Sequence, residues 1–140
     1  MSLYTPLQLY SLVSDIEHYP EFLPWCRGAR IKEKTSRGVI AELTVGFGPV
    51  QASFTTNNRN EPGKSIQMEL VEGPFKKMEG AWHFRSGKDG KSRVSLDLNF
   101  QFANRRMDRL FDPVFKKIIT RIIDAFEERA GSLYGSPGID

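Results

Sequence analysis

The chain has 140 residues and a net charge of +3, a length that suits one domain with a substantial core and leaves no room for a second. Cys26 is the single cysteine, so an internal disulfide is excluded and a reducing compartment, by default the cytoplasm, is expected. No apolar run approaches the roughly 20 residues of a membrane span, and no basic segment followed by an apolar core indicates a signal peptide.

The N-terminal segment predicts a short helix. Thr5 suits the N-cap and Pro6 the first helical position, and the leucines and valine that follow lie on one side, so the helix should end near Asp15. Residues 17–26, EHYPEFLPWC, contain two prolines and three aromatic residues. The prolines limit any further helix here to a turn or two, and the aromatic side chains are expected beneath one end of a sheet.

Residues 27–102 switch to a period of two, which predicts about six strands. The clearest is residues 38–47, where apolar and polar positions alternate throughout. Glycine and proline pairs at 48–49, 62–63 and 73–74, and the sequence Lys-Asp-Gly at 88–90, supply turns. Each predicted strand has one apolar and one polar face, and the connections are short. The pattern therefore predicts an antiparallel meander with one face in solvent and one face covered.

The run from residue 104 to residue 134 predicts one long amphipathic helix, about 46 Å in length. Asn104 is the expected N-cap and Gly135 the expected end, while Pro113 should either kink the helix or mark its real start. Only this element is long enough to cover the concave face of the sheet. We therefore predict an α+β fold over residues 1–135, a curled sheet around one helix, with a disordered tail at 136–140.

A curled sheet around a straight helix leaves a gap at one end. The sequence pattern alone does not distinguish a packed core from a lined cavity, and a packed core explains most apolar positions because each large buried side chain stabilises the fold by about 1.5–3 kcal/mol. The inward positions of the sheet are Phe47, Phe54, Met68, Leu70, Trp82, Phe84, Leu98 and Phe100, and those of the helix are Phe111, Phe115, Ile118 and Ile122.

Four segments together resemble a known family: DIEHYPEFLPWC (15–26), SFTT (53–56), EGPFKKMEGAWHF (72–84) and FEERAGSLYG (126–135). Their order and length are similar to the START-like, helix-grip (START/Bet v 1-like) family of coenzyme Q-binding proteins. That family also contains RatA-type ribosome-association toxins and proteins labelled polyketide cyclase/lipid transport. Its members usually begin with a strand ahead of the first helix, which here is missing or reduced to residues 1–4. An uncovered sheet edge would favour pairing between copies.

The resemblance implies non-catalytic binding of a hydrophobic ligand, most simply a polyprenyl quinone such as ubiquinone, in support of respiration. No cofactor would be required beyond the bound quinone or lipid itself. Carried over by position, the expected ligand-binding residues are Phe22, Leu23, Pro24 and Trp25 at the rim, Pro74 and Phe75 on the facing loop, and Trp82, Phe84, Phe115, Ile118, Ile119 and Ile122 on the walls. The inward sheet positions Phe47, Phe54, Leu70, Leu98 and Phe100 complete the expected ligand-binding set. For Pro74, a role in shaping the turn is the explanation that the residue type favours.

The residues give little support to an enzyme such as a polyketide cyclase. A cyclase needs an acid or base that reaches into the cavity, and the inward positions carry no His, Asp, Glu or Lys. His18 and His83 are expected at the periphery, and Cys26 as a buried structural thiol. No metal-ligand spacing is present, although the loop residues Glu72 or Glu79 could still enter the site.

Binding to the large ribosomal subunit, which would block subunit joining, is the alternative function. It requires a cationic surface for phosphate, and the same surface could instead rest on an anionic inner membrane. A solvated helix face interleaved with aspartates is the simpler explanation of these charges. The candidate residues are Lys76, Lys77, Arg105, Arg106, Arg109, Lys116, Lys117 and Arg121.

Overall fold

The structure, a computed structural model, describes residues 4–87 and 92–135. Its elements follow one another as the sequence pattern predicts, two short helices, a run of strands and one long helix. In chain order they are α1 (Pro6–Ser14), a 3₁₀ helix (Ile16–Glu21), β1 (Cys26–Lys34), β2 (Gly38–Phe47), β3 (Val50–Glu61), β4 (Ser65–Glu72), β5 (Phe75–Ser86), β6 (Ser92–Phe102) and α2 (Arg105–Tyr134).

All six strands pair antiparallel with their neighbours in chain order, which confirms the predicted meander. The β2–β3 reversal is the tightest, because Phe47 pairs with Val50 across Gly48, whose φ of 57° favours glycine. Within the described residues β1 and β6 are the edges of the sheet. The hairpin turn predicted at 88–90 and the tail predicted at 136–140 lie outside the described residues.

Helix α1 begins where the sequence predicts, and a capping box explains why. The Thr5 side chain accepts a hydrogen bond from the Gln8 backbone at 3.1 Å, and the Gln8 side chain accepts one from the Thr5 backbone at 2.9 Å. Pro6 takes the first helical position, where its missing N–H leaves no partner unsatisfied. Tyr4 and Thr5 precede α1 and form no strand, and residues 1–3 lie outside the description.

Helix α2 is continuous from Arg105 to Tyr134, and Asn104 caps it by accepting a hydrogen bond from the Met107 backbone at 2.9 Å. Pro113 lies inside this helix, so the alternative that it marks the helix start is wrong. Its ring removes one helical hydrogen bond, which the packing of the surrounding turns offsets. Among the described residues, no helix is both long and apolar enough to cross a membrane.

Two aromatic clusters fasten α2 to the rest of the fold. Near its N-terminal end, Phe115 has ring centroids 5.3–5.9 Å from those of four other phenylalanines, Phe54, Phe75, Phe100 and Phe102. Near its C-terminal end, Phe126 meets the edges of three rings at 5.3–5.5 Å, those of Tyr19, Phe22 and Trp82. The turns of α2 between the clusters face the middle of the sheet, where large rings do not fill the space.

A cavity between the sheet and helix α2

The space between the two aromatic clusters is a cavity of about 110 Å³. Strands supply most of its wall, α2 closes one side, and the segment from the 3₁₀ helix to β1 closes one end. Its volume approaches the ~150 Å³ of an apolar cavity that binds benzene, so it can hold one ring-sized group. The lining residues are Ile16, Tyr19, Leu23, Trp25, Cys26, Ala41, Leu43, Val45, Phe54, Thr56, Asn58, Met68, Met78, Trp82, Leu96, Leu98, Phe115, Ile118, Ile119 and Ile122.

The structure brings part of the predicted ligand-binding set together around this cavity. These residues are Leu23, Trp25, Phe54, Trp82, Leu98, Phe115, Ile118, Ile119 and Ile122. The other predicted residues do not line it; they are Phe22, Pro24, Phe47, Leu70, Pro74, Phe75, Phe84 and Phe100. Most of them support the wall from behind. Phe84, for example, stacks on Trp82 with ring centroids 6.3 Å apart, and Pro24 is exposed to solvent.

Several lining residues were not among the predicted site residues. Four of them, Ala41, Leu43, Val45 and Leu96, lie on the apolar faces of the predicted strands. The alternation of apolar and polar residues could therefore have identified them as lining residues. Tyr19, in the 3₁₀ helix, and Asn58, near the far end of β3, are not part of any apolar alternation. Pattern alone gives no reason to place a polar side chain inside.

The segment that closes one end of the cavity is tied to both helices. The Tyr19 hydroxyl donates a hydrogen bond to the Val13 carbonyl at the end of α1. On the other side, the Arg129 guanidinium of α2 lies 4.9 Å from the centre of the Phe22 ring and pairs with Glu21 at 3.2 Å. These contacts fix the segment against α1 and α2, so that Tyr19, Leu23 and Trp25 line the end of the cavity.

The polar groups of the cavity wall are held in their neutral forms. Burial raises the pKa of the Tyr19 hydroxyl far above its ordinary range and also raises the pKa of the Cys26 thiol. The Cys26 thiol donates to the Gly28 carbonyl at 3.4 Å, as a structural thiol would. The described lining contains no His, Asp, Glu or Lys, and residues 4–87 and 92–135 contain no group of three potential metal ligands.

Both histidines lie away from the cavity. His18 is exposed, and its ring nitrogens approach Asp15 at 2.7 Å and Glu21 at 3.6 Å. The hydrogen bond that the His18 ring donates to Asp15, with the charge of that carboxylate, raises the pKa of His18. His83 projects from the outer face of the sheet toward Asp97 at 3.7 Å. Neither can serve as an acid or base inside the cavity.

A cationic surface lies at the end of the molecule where α2 begins. We call its exposed residues Lys76, Lys77, Arg105, Arg106 and Arg109 the cationic end. The sheet brings them together, because the strand pairing places the start of β5 beside the end of β6, and the 103 N–H donates to the carbonyl of residue 74 at 2.9 Å. Within residues 4–87 and 92–135, none of the five forms an ion pair.

The remaining basic residues predicted for this surface lie further along α2. Lys116 pairs with Asp112 at 2.9 Å, and this neighbour raises the pKa of the lysine. Lys117 lies over the Phe47 ring, 5.4 Å from its centre, and Arg121 is exposed. Charges that are already paired with an aspartate or an aromatic ring are less available to a partner than those of the cationic end.

A curled antiparallel sheet closed by one long helix, with an apolar cavity between them, defines the START-like helix-grip class. Residues 4–127 match the family model described as polyketide cyclase/dehydrase and lipid transport, and the chain belongs to that family. Among curated proteins it is 39% identical to the ribosome association toxin RatA of Pseudomonas aeruginosa, over 94% of this chain and 92% of the toxin. It is 29% identical to the mitochondrial coenzyme Q-binding protein COQ10 homolog B of Xenopus laevis, over 91% of this chain and 54% of that protein.

Solved structures support the same fold at low sequence identity. A START superfamily protein from Mycobacterium smegmatis aligns with a TM-score of 0.79 and 20% identity, over 94% of this chain and 93% of that one. The Zhui aromatase/cyclase from Streptomyces sp. R1128 aligns with a TM-score of 0.78 and 14% identity, over 98% and 93%. Identities this low establish a shared architecture and leave the activity to the residues of the site.

Proposed function

We propose that this protein binds a hydrophobic ligand without chemistry, a polyprenyl quinone such as ubiquinone, and that binding supports respiration. The observation that carries the proposal is the cavity between the sheet and α2, which is apolar except for a few hydrogen-bonding groups. A native core ordinarily leaves few voids larger than a water molecule, because empty space forfeits packing energy. The name of the COQ10 relative adds support for a quinone.

The size of the cavity shapes what binding must involve. Pockets that enclose drug-sized ligands measure roughly 300–1,000 Å³, whereas this cavity measures about 110 Å³. A quinone ring or one isoprene unit fits, and the rest of the tail requires an exit or an outward movement. We assign the exit to the closing segment at residues 16–25, which meets α2 through the packing of Tyr19 and Phe22 on Phe126 and through the contacts of Phe22 and Glu21 with Arg129.

Extraction of the purified full-length protein with organic solvent, followed by mass spectrometry, tests this function. We expect a quinone at close to one equivalent, or its uptake after addition of a ubiquinone with two isoprene units. Ala41→Leu, which adds three carbons at the cavity wall, should lose the ligand, whereas Ala103→Leu at an exposed position should keep it. A wild-type protein that neither carries nor takes up quinone or other lipid would contradict the proposal.

Association with the large ribosomal subunit is a second candidate function, and the cationic end favours it. Arg105 and Arg106 occupy the first two positions of α2, where the helix dipole is positive. Each cation near a helix N-terminus typically costs the fold about 0.3–1 kcal/mol, so an external partner is a reason to place them there. Unpaired cations also suit a phosphate backbone. The name of the Pseudomonas relative points to the same partner.

Co-sedimentation with purified large ribosomal subunits tests the second function. Arg105→Glu/Arg106→Glu should abolish sedimentation without loss of stability, because glutamate suits the start of a helix. The control is Arg85→Glu/Arg93→Glu, an exposed cross-strand pair on β5 and β6 with the same change in charge. Equal sedimentation of both variants would refute the proposal, and binding of the wild type only to vesicles rich in anionic lipid would assign the surface to a membrane.

A cyclase activity has the weakest support from the site. The hydrogen-bonding side chains of the described lining are a tyrosine, a cysteine, a threonine, an asparagine and two tryptophans, all neutral. Proton transfer at neutral pH calls for a group whose pKa lies near the working pH, and the pKa of both Tyr19 and Cys26 is raised. The Streptomyces aromatase/cyclase shares the fold at 14% identity, which says nothing of shared chemistry.

A further inference from the structure

Two polar side chains face each other inside the apolar cavity. Thr56 and Asn58 both lie on the inward side of β3, and both line the cavity while remaining only 6% and 4% exposed. The Thr56 hydroxyl donates a hydrogen bond to the Asn58 side-chain oxygen at 2.7 Å. Both side chains are therefore buried at the cavity wall and hydrogen-bonded to each other.

The hydrogen bonds of the cavity wall leave the amide N–H groups of Asn58 unused. The Tyr19 hydroxyl donates its hydrogen bond to the Val13 carbonyl, and the Cys26 thiol donates to the Gly28 carbonyl. The Thr56 hydroxyl donates to the Asn58 side-chain oxygen. The Asn58 amide nitrogen carries two N–H groups, and these have no hydrogen-bond partner among residues 4–87 and 92–135. The indole N–H groups of Trp25 and Trp82 also line the cavity without a hydrogen bond to the described residues, but Asn58 differs from them because a neighbouring side chain, Thr56, orients its donor.

We infer that Asn58, oriented by Thr56, is a specificity-determining residue that donates a hydrogen bond to a carbonyl oxygen of the ligand. The inference rests on the proposed function, since it specifies the chemistry of the ligand held in the same cavity. Thr56 fixes which end of the Asn58 amide faces the cavity, because its proton occupies the amide oxygen. The exposed end of the amide is then a donor, which matches an acceptor such as a quinone or ketone carbonyl.

The energetics of burial favour this assignment over a role in stability. An unpaired amide in an apolar interior is unfavourable, and a valine and a leucine of similar shape would fill the two positions without that penalty. A cavity that held only hydrocarbon would gain nothing from Asn58. A carbonyl placed against the amide satisfies both groups away from water, where a hydrogen bond is strong and its absence is unfavourable.

Two ring-sized probes that differ in a single group test the inference. Acetophenone and α-methylstyrene share a shape, but only the first has a carbonyl oxygen. Dissociation constants for both are measured by NMR titration of the full chain and of Thr56→Val/Asn58→Leu, which removes the whole pair and leaves no orphaned partner. We expect the ratio of the two constants to shift by about fivefold against acetophenone in the double variant, the effect of one neutral hydrogen bond.

The side-chain amide signals of Asn58 provide an independent readout in the wild-type protein. Acetophenone should move them downfield, and α-methylstyrene should not, so the test survives even if the double variant fails to fold. An unchanged ratio in a folded double variant, or amide signals that respond alike to both probes, would overturn the inference while hydrophobic binding stands. Failure of the wild type to bind either probe would overturn the inference together with the cavity as a binding site.

Discussion

Filling the cavity should stabilise the fold, and Ala41→Leu is the most direct way to do so. Voids in protein interiors destabilise by about 24 cal/mol per Å³, so a cavity of about 110 Å³ costs the fold about 2.6 kcal/mol relative to a filled one. Ala41 lies on β2, 2% exposed, with its side chain at the cavity wall. Leucine there should recover about 1–2 kcal/mol, the part of the void that its three added carbons can reach.

The assay is equilibrium unfolding in urea, and Ala52→Leu is its matched control. Ala52 is also a buried alanine on a central strand, 8% exposed, but it is not among the residues that line the cavity. The same added carbons find no space there and should destabilise by about 1–3 kcal/mol. The two variants are thus expected to differ in sign. If Ala41→Leu destabilises as much as Ala52→Leu, the cavity is not available space and the reasoning fails.

Three further changes probe other parts of the fold. Phe115→Ala should lower the free energy of unfolding by about 3–5 kcal/mol, because four phenylalanine rings surround Phe115. The control Leu110→Ala, at an exposed position, should change it by no more than about 0.5 kcal/mol. Similar losses in both variants would contradict the stabilising role of the phenylalanine cluster. Thr5→Ala should cost about 1 kcal/mol in thermal unfolding by removing the α1 cap, and Thr5→Ser should restore most of it. Asp15 raises the pKa of His18, so the interaction of the two side chains stabilises the fold fully below the ordinary histidine pKa of about 6.5, and this stabilisation is lost as pH rises through the folded-state pKa. An NMR titration of the Asp15→Asn variant should show a lower pKa for His18. An unchanged pKa would refute the assignment.

The sequence pattern predicted the strands best where hydrophobic alternation is uninterrupted. Strand β2 begins and ends at the predicted residues, because each inward position is apolar and glycines lie at the turns. Strand β5 begins at Phe75, where the sequence shows no alternation, since a bulge between Phe75 and Lys77 leaves two successive lysines exposed. Strand β3 continues to Glu61 through a polar stretch that pairs with β4, and no apolar period marks that stretch.

The cavity could be predicted only in outline. The resemblance and the inward faces placed Trp82, Phe115 and the isoleucines of α2 on its wall, as the structure does. They did not distinguish wall residues from those that support the wall, such as Phe75 and Phe100, because both kinds are large and apolar. Thr56 and Asn58 were not among the predicted ligand-binding residues, for a different reason. A search for apolar periodicity discards the polar residues that would orient a ligand.

The two candidate functions meet on one helix. Ile118, Ile119 and Ile122 of α2 form a wall of the cavity, and the arginines at the start of the same helix belong to the cationic end, about 14–26 Å away along its axis. Pro113 lies between them and deprives the helix of one hydrogen bond at that point. A ligand too large for about 110 Å³ requires α2 or the closing segment to move outward, since both form walls of the cavity. The two proposed sites share one helix but use different residues of it, so evidence for one function does not argue against the other.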